Sequence, residues 1–79
     1  MTVKLRNNNS TLAVDQLEVY DNVAAAPLGI FTLKGGESRS IDIASDADGK
    51  GSLKIRTPDS RSDDWTQIDN INLGDVISA

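Results

Sequence analysis

The chemistry open to this chain is narrow, because its 79 residues include no histidine and no cysteine. Without imidazole or thiol there is no activated-serine arrangement, no thiolate nucleophile and no nitrogen- or sulfur-bound zinc. Carboxylates remain, and their tightest arrangement is Asp46-Ala47-Asp48-Gly49-Lys50-Gly51-Ser52-Leu53. This run reproduces the first half of a helix–loop–helix calcium loop. Carboxylates hold the first and third positions, glycine the sixth, where the chain turns sharply, and an aliphatic residue the eighth. The second half departs from the pattern. Lys50 stands at the fifth position, Lys54 at the ninth, and Thr57 at the twelfth, where a bidentate glutamate belongs. Both flanks also alternate as strands do. The run therefore reads as a polar hairpin turn, with Asp48-Gly49 and Lys50-Gly51 supplying the positive-φ positions of a strand reversal.

Asp46 and Asp48 are kept as candidate ligands for a calcium ion held outside that loop pattern; no other cofactor is indicated. A second acidic group, Asp59, Asp63 and Asp64, lies further on, with Arg56 and Arg61 near enough to pair with it. Alternate loops of a β-sandwich emerge at opposite ends, so the two groups are expected a strand's length apart. A glycosidase-type pair of carboxylates would need two of them facing one cleft. No spacing among the aspartates, Glu18 and Glu37 singles out such a pair, so the chain is expected not to be an enzyme.

The elements that position these residues follow from the apolar pattern. Val3-Lys4-Leu5-Arg6 and Leu53-Lys54-Ile55-Arg56 have the period-two alternation of half-buried strands. Strands are predicted over Thr2–Arg6, Leu12–Tyr20, Leu28–Leu33, Ser38–Ala44, Ser52–Thr57 and Trp65–Leu73, with a short terminal strand at Val76–Ile77. A parity slip places a bulge or bend at Asp15-Gln16, another slip falls around Ile30-Phe31, and a bend is expected near Asp69-Asn70. Asn7-Asn8-Asn9-Ser10 and Gly35-Gly36 read as turns, and Ala24–Ala26, followed by Pro27, as a loop or edge segment. About seven short strands at this spacing predict one all-β domain over residues 1–79, a small antiparallel sandwich of immunoglobulin-like cast. Its expected core is Val3, Leu5, Val14, Leu17, Val19, Ile30, Leu33, Ile41, Ile43, Leu53, Ile55, Ile68, Ile71 and Leu73. The single Trp, Tyr and Phe are expected mostly in that core, although Trp65, opening a strand beside the acidic loop, is also a candidate contact residue.

Composition limits the partners. Eight basic side chains against twelve acidic ones give a net charge of −4, with the cations scattered along the chain. No basic stripe is present to exchange counterions with a phosphate backbone or to bind an anionic membrane surface. No apolar run approaches the roughly 20 residues of a membrane span. Met1 leads straight into a strand pattern, so a native Met1 implies a cytoplasmic protein. If the chain is a module of a larger assembly, the cell surface or a virion is expected instead.

Three stretches, Val3-Lys4-Leu5-Arg6-Asn7-Asn8, Leu17-Glu18-Val19-Tyr20-Asp21-Asn22 and Leu28-Gly29-Ile30-Phe31-Thr32-Leu33-Lys34-Gly35-Gly36-Glu37-Ser38, together resemble bacterial immunoglobulin-like repeats of surface and adhesion-related proteins. The resemblance spans residues 3–44 and continues at Leu53–Arg56. It implies a β-sandwich that works by contact, and it carries over no functional residue.

The leading expectation is a structural or protein-binding module that pairs with itself or another protein through sheet edges or a sheet face. A small core without disulfides invites such support. The terminal strands Val3–Leu5 and Val76–Ile77 are expected near an edge. Val76, Ile77, Arg61, Asp63, Asp64 and Trp65 are the candidate contact residues. A small acidic inhibitor, for instance a virus-encoded one, that covers a basic surface of a host protein is the alternative. A calcium- or carbohydrate-binding module is the third reading.

Overall fold

The computed structural model describes residues 1–7, 14–56 and 65–78, the side chains of Val14 and Asp15 excepted. Its strands are β1 (Thr2–Arg6), β2 (Val14–Asp21), β3 (Ala26–Lys34), β4 (Ser38–Asp42), β5 (Gly51–Arg56), β6 (Thr66–Ile71) and β7 (Val76–Ser78). They form a three-stranded sheet in the order β4-β1-β7 and a four-stranded sheet in the order β3-β2-β5-β6. All described pairings are antiparallel except β1 with β7, which is parallel. The fold is thus the all-β, sandwich-like arrangement that the alternation predicts.

The two sheets share one apolar layer. Val3, Leu5, Ile41 and Ile77 come from the smaller sheet, and Leu17, Val19, Leu33, Leu53, Ile55 and Ile71 from the larger, with Ile43 just beyond β4. Each aliphatic side chain buried in this way contributes about 1.5–3 kcal/mol. Ile68, Phe31, Leu28 and Met1 pack around the margin.

Two buried polar side chains fix the sheets relative to each other at opposite ends. Asn7, closing β1, donates from Nδ2 to the Leu33 carbonyl of β3 at 3.0 Å. Asp21, closing β2, accepts from the Val23 and Ala24 amides at 3.0 and 3.1 Å through Oδ1 and from the Ala44 amide at 2.8 Å through Oδ2. One carboxylate therefore shapes the β2–β3 turn and ties it to the segment leaving β4. Both side chains are 1% exposed, and their local signal is that of ordinary turn residues.

Several expectations need correction. Ile30 is 53% exposed, because Phe31 and Leu33 take the inward parity of β3. The register shift in β3 lies nearer its start, where Val19 pairs with Gly29 but Tyr20 with Pro27, leaving Leu28 as the extra residue. Gly29 meets the bulge with a φ of +115°, which L side chains rarely adopt. β2 pairs without a shift from Val14 to Val19, so no bulge falls at Asp15-Gln16. Leu73 is 72% exposed: β6 ends at Ile71, after Asn70 has turned to a φ of +57°, and Leu73 rides in the turn that follows. β1 is the centre of its sheet, so of the two terminal strands only β7 is at an edge.

The Asp46–Gly51 run does turn the chain, but not as a hairpin. β4 and β5 belong to different sheets, and the turn is the crossing between them. The Asp46 amide donates to the Lys50 carbonyl at 2.8 Å, while Asp46 Oδ1 accepts from the Asp48 and Lys50 amides at 2.9 and 3.0 Å. Lys50 Nζ reaches Asn72 Oδ1 across the same end of the sandwich. The polar Asn7–Ser10 turn and the start of the second strand at Leu12 lie largely outside the described residues, as does Val14's expected place in the core.

Candidate functional site

The most organised surface is the outer face of the four-stranded sheet. Strand parity decides what stands there. Leu17 and Val19 of β2 and Leu53 and Ile55 of β5 point inward, so Glu18 and Tyr20, and Ser52, Lys54 and Arg56, point outward. The register sets Glu18 beside Arg56 and Tyr20 beside Lys54 across β2 and β5, and Lys54 beside Gln67 across β5 and β6. Trp65 enters immediately before β6.

Tyr20 and Trp65 flank β5 from either side. Strands two apart in a sheet are separated by about 9.6 Å, yet these ring centroids lie 6.5 Å apart at 65°. The rings therefore lean towards each other over β5 in an edge-to-face pair. Between them Lys54 Nζ stands 4.5 Å from the Tyr20 centroid and 5.0 Å from that of Trp65. The Arg56 guanidinium carbon is 4.2 Å from the Trp65 centroid, and its Nε donates to Glu18 Oε1 at 2.5 Å. Each close cation–π contact is worth about 0.5–1 kcal/mol at an exposed site and more where water is excluded. Tyr20, Lys54, Arg56 and Trp65 are all half-buried, although no second layer of described strands covers them.

Further along the same face Ser52 Oγ donates to Asp69 Oδ1 at 2.7 Å, and Gln67 Nε2 donates to Asp69 Oδ1 at 2.9 Å. The bond from Gln67, and then that from Ser52, holds the Asp69 carboxyl below the usual carboxylate range. Asn22 and Gln67 both donate to Ser52 Oγ, at 3.1 Å each. The polar half of the face is thus cross-linked strand to strand, and it adjoins the aromatic and cationic half through Gln67.

Of the candidate contact residues read from the sequence, Trp65 is on this face. Val76 is 54% exposed on the edge strand β7, whereas Ile77 is 4% exposed and belongs to the core, because it takes the inward parity of that strand. Arg61, Asp63 and Asp64 lie outside the described residues, as does Asp59. Asp46 and Asp48 share a turn, but no group of three or more acidic side chains able to hold a metal ion occurs among the described residues. The expectation that the aromatics lie mostly in the core does not hold for Tyr20, which stands on the outer face. Its parity with Glu18, opposite to Leu17 and Val19, was the signal available. Phe31 alone of the three aromatics packs against the core.

The described sheet edges are less inviting than this face. β3 carries Pro27 beside its bulge, and its Thr32 carbonyl is occupied by the Arg39 guanidinium at 3.3 Å. β4 carries that same arginine, β6 is interrupted at Asn70, and β7 is three residues long. Charges, bulges, proline and short length are the devices that keep edge strands from pairing.

Comparison with family models, with curated proteins and with solved structures finds no match to this chain.

Proposed function

We propose that this chain is a non-enzymatic protein-binding module, immunoglobulin-like in cast, that assembles with further copies of itself through the outer face of its four-stranded sheet. The observation that carries this reading is the placement of Tyr20 and Trp65. A domain with three aromatic residues and a thin core keeps two of them on an exposed face, packed with Lys54 and Arg56. Tyrosine, tryptophan and arginine are the side chains that dominate binding energy at protein interfaces. Fixing them beforehand by stacking and by the Arg56–Glu18 ion pair lowers the ordering cost of association.

The same arrangement speaks against a sugar or base platform, because the cations lie over ring faces that such a ligand would stack upon. An acidic inhibitor would present carboxylates as its most ordered surface, whereas here the ordered surface is aromatic and cationic. The edge route is disfavoured by the guarded strands.

Amide spectra of 15N-labelled protein over a dilution series test the proposal. Shifts that move with concentration are expected at Tyr20, Lys54, Arg56, Trp65 and Gln67. Shifts confined to β3, β4 or β7, or none at any concentration, would overturn it.

A further inference from the structure

We infer that the contact is head-to-side: the face around Lys54 of one copy takes the acidic β4–β5 turn of the next, with Asp48 as the anchoring carboxylate. This rests on the reading of the outer face as a self-association surface. Lys54 lies over both rings with no carboxylate in ion-pair distance among the described residues. The acidic groups on its own face are engaged, Glu18 by Arg56 and Asp69 by Ser52 and Gln67. Among the described residues, what this half-buried ammonium lacks is an anion. Two such faces meeting around a two-fold axis would bring like charges together, so the anion has to come from a different surface of the second copy.

Among the described carboxylates that surface can be found by elimination. Asp21 is buried on three amides, Glu37 accepts from the Lys34 amide, Asp42 from Thr2, Asp46 from Asp48 and Lys50, and Asp75 from Asn72. Asp48 is the described carboxylate whose oxygens accept no bond from its own chain. It sits exposed in the turn that Asp46 braces. The cationic face and this acidic turn occupy different parts of one sandwich, so they meet only between copies. Such a contact repeats from copy to copy and builds rings or filaments, not closed dimers.

Complementation in sedimentation velocity tests this. Lys54→Glu disables the face and leaves the turn; Asp48→Lys disables the turn and leaves the face. Each variant alone is expected to associate at least about tenfold more weakly than the unaltered chain. An equimolar mixture is expected to associate as the unaltered chain does, the two variants alternating, because each face then meets a turn of opposite charge on the other variant. The double variant Lys54→Glu/Asp48→Lys should associate again on its own. If the unaltered chain associates but the mixture gives no complex, or Asp48→Lys associates as well as the unaltered chain, the head-to-side contact is wrong while the face reading stands. If the unaltered chain is monomeric throughout, both fall.

Discussion

Lys54 and Tyr20 are directly paired across β5 and β2, and the Lys54 ammonium lies 4.5 Å from the centre of the Tyr20 ring. The pair joins a strand register, which the backbone sets, to a surface chemistry, which the side chains set. It also marks the point where the sandwich stops being a generic scaffold.

The pair should be measurable in the isolated domain. A double-mutant cycle of Tyr20→Ala and Lys54→Ala in urea denaturation is expected to give a coupling of about 0.5–1 kcal/mol. Trp65 shares the same ammonium at 5.0 Å, so Trp65→Ala should couple to Lys54→Ala less strongly. Additive single changes would mean that the ring and the ammonium do not interact in solution.

Asp21 should be the costliest polar position to change. Replacement by alanine leaves the Val23, Ala24 and Ala44 amides without their acceptor at a partly buried site, and a loss of about 3 kcal/mol or more is expected. Asp21→Asn keeps one accepting oxygen and turns an amide N–H₂ towards a donor, so it should fall between the two. Thermal or urea denaturation checks the ranking. An alanine variant within about 0.5 kcal/mol of the parent, the usual range for surface changes, would contradict the role assigned to this carboxylate.

Gly51 begins β5 against the opposite sheet. A Cβ there would stand 2.5 Å from Ile43 Cδ1, 2.8 Å from Met1 Cε and 3.4 Å from Ile71 Cβ. Gly51→Ala is therefore expected to overpack the core and cost about 1–3 kcal/mol. Ile43→Val removes the nearest methyl group and should recover part of that loss in the double variant. Strict additivity of the two changes would show that the clash is relieved elsewhere.

The alternation of apolar residues was enough to place all seven described strands and most of the core, because a strand half-buried on one face leaves a period of two in its sequence. It failed where parity is reset by backbone geometry. The extra residue at Leu28 puts Ile30 outside, and the left-handed Asn70 ends β6 before Leu73. It also could not tell that Asp46–Gly51 crosses between sheets, since a turn has the same local chemistry whether its strands pair or part. The candidate face was legible only in part. Trp65 could be singled out from its position, but its meeting with Tyr20 depends on the order β2-β5-β6, which brings together residues 45 positions apart. Asn7 and Asp21 read as turn formers, and their burial depends on the opposite sheet.

Acid should loosen the polar half of the outer face as the Asp69 carboxyl takes up its proton. Asp69 has its carboxyl held low by the bonds from Gln67 and Ser52, so its folded pKa lies below its unfolded one. The support it gives is present above the unfolded pKa and is lost as the pH falls through the folded pKa. An NMR titration of the carboxyl carbon should show a low midpoint in the parent and a rise towards the ordinary value in Gln67→Ala. An unchanged midpoint would mean that the Gln67 bond does not persist in solution.

The central claim is that the Tyr20–Trp65 face is a surface for self-association, and sedimentation velocity of the unaltered chain and of Trp65→Ala tests it most directly. Both would be run at two protein concentrations and two salt concentrations. Trp65 lies outside the apolar core, so the variant should keep its fold. The sedimentation coefficient of the unaltered chain should rise with protein concentration and fall back with salt, as charge-assisted docking requires, while the variant stays a monomer. A single, concentration-independent monomer for the unaltered chain, or association of Trp65→Ala equal to that of its parent, would contradict the account.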